Sequence, residues 1–149
     1  MRWESFRGTR LYLDANVVIY SRERPNRWSA LLDELLEAID DGTVTAVTSE
    51  LTLAEVLVKP IDVQAADVVA GYERMLSPAS PIIVVPVTRD ILRITAELRA
   101  RLRLKPMDAI HVATALAMDC HHVVPEDTRL RLPRELDHPR LVTVEGSTR

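Results

Sequence analysis

The sequence predicts an α/β fold, a three-layer α/β/α sandwich built on a central parallel sheet of four to five strands. Short apolar, β-rich runs alternate along the chain with helical stretches of about ten residues or more, the pattern of βαβ units with helices on both faces of a sheet. The first such run, Leu11, Tyr12 and Leu13, is apolar throughout, as a strand covered on both faces must be. With 47% of its 149 residues apolar, the chain can bury most of its surface in one core without disulfides or structural metal.

In chain order, residues 11–13 form the opening strand and Asp14 follows at its carboxyl end, with Asn16 placed to cap a short helix over 17–21. Leu31, Leu32, Leu35, Leu36 and Ile39 recur at helical spacing over 28–39, and Asp40, Asp41 and Gly42 end that helix. Residues 44–47 read as the second strand. Thr48 and Ser49 are cap candidates for a helix carrying Leu51, Ala54, Glu55 and Leu57, which Pro60 closes. Asp62 opens another helix with Val63, Ala66, Val69, Ala70 and Tyr72 on its apolar side, and the cluster at 77–81 is a strong loop signal. Residues 82–85 form the third strand. Thr88 then opens a helix through Ile91, Leu92, Thr95, Leu98 and Leu102, and Pro106 takes the first position of the next, which runs to about Met118. Residues 122–124 give a fourth strand, Asp127 follows it, and 141–144 form the last strand before a flexible tail at 145–149.

No repeat, low-complexity tract or linker divides the chain, so one domain over 1–149 is expected, with a short polar lead at 1–9. Cys120 is the lone cysteine and has no thiol to pair with. The amino end lacks an apolar leader, and no uncharged stretch nears the roughly 20 residues a bilayer span needs; a soluble, cytoplasmic protein without a membrane partner is expected. The net charge of −3 is unpromising for nucleic-acid binding, but bound cations would offset part of it if the acids converge. Arginine supplies almost all the positive charge, since Lys59 and Lys105 are the only lysines.

Asp14, Glu55, Asp108 and Asp127 each sit where an apolar element gives way to something polar. Singly, each has an ordinary explanation. Asp14 suits a helix cap, Asp108 the positive end of a helix dipole, and Asp127 a surface turn. Glu55, amid Leu51, Leu53, Ala54, Val56 and Leu57, must snorkel, pair with an arginine or bind something. Gathered in the crevice outside the strands' carboxyl ends, four such groups would repel one another and favour a hard divalent cation with oxygen ligands.

The joint order and spacing of these segments resemble the PIN-domain nucleases, and in particular the VapC-type toxins of type II toxin–antitoxin pairs. LYLDANVVIY resembles the family's opening strand with its first Asp, SELTLAEVL the segment bearing its Glu, KPMDAIHVATAL the segment with its third acid, and PEDTRL its T-x-D segment. The likeness covers residues 11–132. It implies a single PIN domain with Mg²⁺- or Mn²⁺-dependent endoribonuclease activity, in which Asp14, Glu55, Asp108 and Asp127 are the catalytic acids. Asp14, Asp108 and Asp127 are implied to bind metal directly or through water, and Glu55 to support the metal or orient the attacking water. An RNA substrate, a cognate antitoxin protein and a homodimer are implied as partners. The sequence departs from the pattern at Pro125, where relatives commonly carry Thr or Ser; the change removes a hydroxyl and a backbone donor near Asp127.

Asn16 beside Asp14 and Ser49 at its helix start are candidates to support the acids, and both also suit capping. His111, one helical turn past Asp108, is expected to be packed and hydrogen-bonded rather than catalytic. Arg99, Arg101, Arg103 and Lys105 precede Asp108, and Arg129 and Arg131 follow Asp127, as RNA-backbone contacts or as solvated surface. Trp3, Tyr20 and Trp28 are too scattered to define a base-stacking platform. The alternative is a catalytically silent PIN-like module that binds RNA or protein, against which gathered like charge without metal argues. A third reading is a metal-dependent phosphatase of another α/β superfamily, but LDANVV lacks the second Asp that a nucleophile-plus-acid motif would place two residues after Asp14.

Overall fold

The computed structural model describes residues 2–23, 25–124 and 140–141. Five parallel strands, β1 (Arg10–Leu13), β2 (Thr45–Ser49), β3 (Ile83–Val85), β4 (His122–Val124) and β5 (Arg140–Leu141), lie in the order β3-β2-β1-β4-β5. Between them the described residues form α1 (Ala15–Arg22), α2 (Ser29–Asp40), α3 (Glu50–Asp62), α4 (Ala66–Met75), α5 (Arg89–Leu102) and α6 (Pro106–Ala117).

The sandwich follows from the period-2 alternation of β1. Leu11 and Leu13 pack on one face with Val17 and Val18 of α1, Leu32 and Leu35 of α2, Val56 of α3 and Tyr72 of α4. Tyr12 points to the opposite face with Ile91 and Leu98 of α5 and Val112 of α6. Leu11 pairs with Ala46 on one side and His122 on the other, so β1 is covered on both edges and both faces, as its apolar run predicts. The expected α/β/α sandwich is therefore the fold observed.

Most expected element ends hold, and each departure has a physical cause. The 1–9 lead is not merely polar: Arg2–Phe6 forms a 3₁₀ helix that sets Trp3 and Phe6 on one side. Trp3 is fully buried, with its indole N–H donating to Leu31 O at 3.2 Å, which removes it as a base-stacking candidate. Helix α1 starts at Ala15 rather than beyond Asn16. The Asp14 amide still bonds across the sheet to Val124 O (3.2 Å) while its carbonyl already accepts from Val17 and Val18. Asp14 is thus the cap position, and Asn16 lies exposed in the first turn.

Pro60 does not close α3, which continues to Asp62 because the Val63 and Gln64 amides bond back to Lys59 O and Ile61 O, both at 3.0 Å. Gln64 then turns into the left-handed region, φ 55°, and the next helix begins at Ala66 instead of Asp62. Helix α2 ends as expected, with Gly42 at φ 79° just past its C-cap. Residues 142–144 of the expected last strand, and the 145–149 tail, lie outside the described residues. No helix among the described residues is long and apolar enough to cross a membrane.

The caps at Ser49 and Thr88 form as the sequence predicts. Ser49 Oγ accepts from the Leu51 amide at 3.1 Å and Thr88 Oγ1 from the Ile91 amide at 3.2 Å. Ser49 is fully buried, so Ser49→Ala leaves an orphan amide at the start of α3. A loss of about 1 kcal/mol in folding free energy is expected, read as a lower urea midpoint at unchanged m value.

Candidate functional site

The strand order reverses at β1: the chain moves outward through β2 and β3, then crosses back to form β4 on β1's other side. In an open α/β sheet the crevice at the carboxyl ends of the two strands flanking such a reversal is the natural ligand site. Asp14 is the first residue past β1, and its amide bond to Val124 O, at the last residue of β4, fixes it at that crevice.

The carboxyl of Asp14 is partly buried and makes no capping hydrogen bond. Burial raises its pKa above the usual carboxylate value; His111 and the Ala15 amide oppose that rise, and the negative charges of Glu55 and Asp108 add to it. Asp14, Glu55, Asp108 and His111 therefore share one electrostatic field, although they come from β1's end, α3 and α6. Asp108 is exposed in the first turn of α6, behind Pro106 at the helix start. Glu55 keeps 23% of its side chain exposed and pairs with His111, Nε2 to Oε1 2.5 Å, rather than with an arginine. None of the three acids pairs with Arg or Lys among the described residues.

Asp127 and the adjoining Pro125 lie outside the described residues, as do Arg129 and Arg131. Among the described residues no three His, Cys, Asp or Glu side chains form a metal-holding group by themselves. The donor set nevertheless suits a hard divalent cation: two aspartates that pair with no Arg or Lys among the described residues, one of them partly desolvated, at the sheet's switch point.

Of the two supporting candidates, Ser49 is occupied as the α3 cap and Asn16 faces solvent. Arg99, Arg101, Arg103 and Lys105 are exposed around the α5–α6 turn, with Arg99 Nε donating to Leu104 O at 3.3 Å. His111 is packed and hydrogen-bonded, as expected, but its partner is one of the site acids. Its position three residues after Asp108 on the same helix was the available signal. Tyr12, whose hydroxyl lies 2.5 Å from His111 Nδ1, carried none, since in the sequence it is one apolar residue of a core strand.

A family model described as the PIN domain matches residues 11–136. No curated protein matches the sequence. Among solved structures, the chain is similar to a toxin–antitoxin complex from Klebsiella pneumoniae, with 22% identity and TM-score 0.65 over 90% of this chain and 97% of that one. It is also similar to VapBC2 from Rickettsia felis bound to a promoter DNA fragment, with 15% identity and TM-score 0.67 over 90% and 98%. The sarcin-ricin loop cleaving toxin VapC20 of Mycobacterium tuberculosis matches with 16% identity and TM-score 0.64 over 80% and 92%. At these identities what the chain shares with the three is the fold.

Proposed function

The chain belongs to the PIN-domain family, and on that footing we propose that it is a metal-dependent endoribonuclease of the VapC type, the toxin of a toxin–antitoxin pair. The observation that supports this reading is the acidity gathered at the switch point, which no Arg or Lys among the described residues offsets. Asp14 is partly desolvated and feels Glu55 and Asp108; His111 opposes the rise in its pKa, and no Arg or Lys pairs with it among the described residues. A fold gains no stability from such an arrangement, and a bound Mg²⁺ or Mn²⁺ removes its cost. That same cost weighs against a catalytically silent binding module.

In this reading Asp14 and Asp108, completed by Asp127, hold the cation directly or through water. When bound it supplies Lewis acidity at the scissile phosphate and activates the attacking water. Glu55 orients that water through a carboxylate oxygen. The exposed Arg101, Arg103 and Lys105 lie on the Asp108 side and suit backbone phosphates of RNA. Val58, Ile61 and Val63, 67%, 59% and 61% exposed around the end of α3, offer apolar surface to a protein partner, either the antitoxin or a second copy of the chain. Toxin–antitoxin complexes among the similar structures support an antitoxin partner.

The test is incubation of the purified chain with structured RNAs in Mg²⁺ or Mn²⁺. Discrete internal cuts are expected, and intact RNA in both metals at enzyme excess would sink the reading.

A further inference from the structure

We infer that His111 is a positioning residue for Glu55, a clamp that fixes one oxygen of that carboxylate and leaves the other for the attacking water. The catalytic part rests on the nuclease reading above; the geometry does not. The imidazole is 4% exposed and both ring nitrogens are engaged, Nε2 with Glu55 Oε1 and Nδ1 with the Tyr12 hydroxyl, each at 2.5 Å.

Hydrogen inventory selects one arrangement of a neutral ring. An ionised carboxylate can only accept, so Nε2 carries the hydrogen and donates to Glu55. Nδ1 must then accept, and the Tyr12 phenol, buried and kept protonated by that burial, donates to it. Tyr12 is anchored in turn: it sits in the centre of β1 opposite Val47 and Val123, beside Thr48, which donates to Leu13 O at 2.8 Å and lies 2.7 Å from the Thr52 hydroxyl. The clamp thus runs from the middle of the sheet to the site.

Its value lies in what Glu55 is. A glutamate on a helix face carries several rotamers, and fixing it costs side-chain entropy unless a rigid partner selects one. His111 provides that partner from α6, and among the described residues Glu55 Oε2 has no hydrogen bond. Two helices from opposite faces of the sheet are joined at this contact, so the acid from α3 is held in register with Asp108 on α6.

The experiment pairs a double-mutant cycle with an imidazole spectrum. His111→Leu is expected to lower kcat roughly 10- to 100-fold with KM for RNA unchanged. His111→Gln, whose amide can still donate to Glu55, should recover part of the loss. In a Glu55→Ala background His111→Leu should cost under about 3-fold more, because it acts only through Glu55. Independently, ¹⁵N spectra of the metal-free protein without RNA should show His111 protonated at Nε2 and bare at Nδ1. That Nε2–H should exchange slowly in wild type and quickly in Glu55→Ala, and Tyr12→Phe should mix the two tautomers. Equal factors for His111→Leu in both backgrounds, or a ring spectrum indifferent to Glu55→Ala, would overturn the clamp. Wild-type protein that shows the ring signature but cuts no RNA would overturn the nuclease reading and leave the clamp standing.

Discussion

Asp14→Asn is expected to slow RNA cleavage at least about 100-fold and, in the same protein, to raise the thermal midpoint of the metal-free form at neutral pH. The two effects have one origin. Burial and the neighbouring Glu55 and Asp108 disfavour the charged form of Asp14, so the folded chain holds that proton more tightly than the unfolded chain does. A carboxyl whose folded pKa is raised destabilises the fold once it ionises. The penalty is absent below the unfolded value of 3.8, grows as pH rises through the folded value, and is complete above it. Asparagine keeps the shape and drops the charge. Its stability advantage over wild type should therefore be present at pH 7 and fade toward pH 3, a dependence that calorimetric scans across that range will read. An unchanged cleavage rate, or an advantage that grows in acid, would remove Asp14 from the site.

Removing divalent metal should abolish cleavage, and restoring Mn²⁺ should raise the midpoint of unfolding. A ligand that binds only the folded state adds about 2.7 kcal/mol at a hundredfold excess over its Kd, roughly 5 to 10 °C for a chain of this size. The shift should be lost in Asp14→Asn and Asp108→Asn, because a cation that relieves like-charge repulsion has less to relieve when one charge is gone. Cleavage that persists in excess EDTA would separate the chemistry from metal altogether. A Mn²⁺ shift of equal size in both variants would place the ion elsewhere.

Strand β1 was legible because it is covered on both faces, so its composition alone marks it. The helix starts at Ser49, Thr88 and Pro106 were legible because capping is local chemistry, decided by residues within one turn. Less local choices escaped. Asn16 yielded the cap position to Asp14 because a sheet hydrogen bond to Val124, over a hundred residues away, decides where β1 ends. Trp3 looked like part of a polar lead, and only the tertiary contact with Leu31 shows it to be core.

The site divides the same way. The places of Asp14 and Asp108, at a strand end and in the first turn of a helix, were readable. The partner of Glu55 was not, since the sequence left an arginine as the natural counter-charge and the fold supplied His111 from another helix. That histidine was readable as a packed residue, and its contact with Glu55 appears only when α3 and α6 are brought together.

Anomalous diffraction from crystals soaked in Mn²⁺ puts the whole reading to the most direct trial. The expected result is one strong peak in the crevice between the ends of β1 and β4, with oxygen atoms of Asp14 and Asp108 at direct or single-water distance from it. Asp127 should close the same coordination shell. A peak bound elsewhere, or none at a Mn²⁺ concentration that supports RNA cleavage, would contradict it.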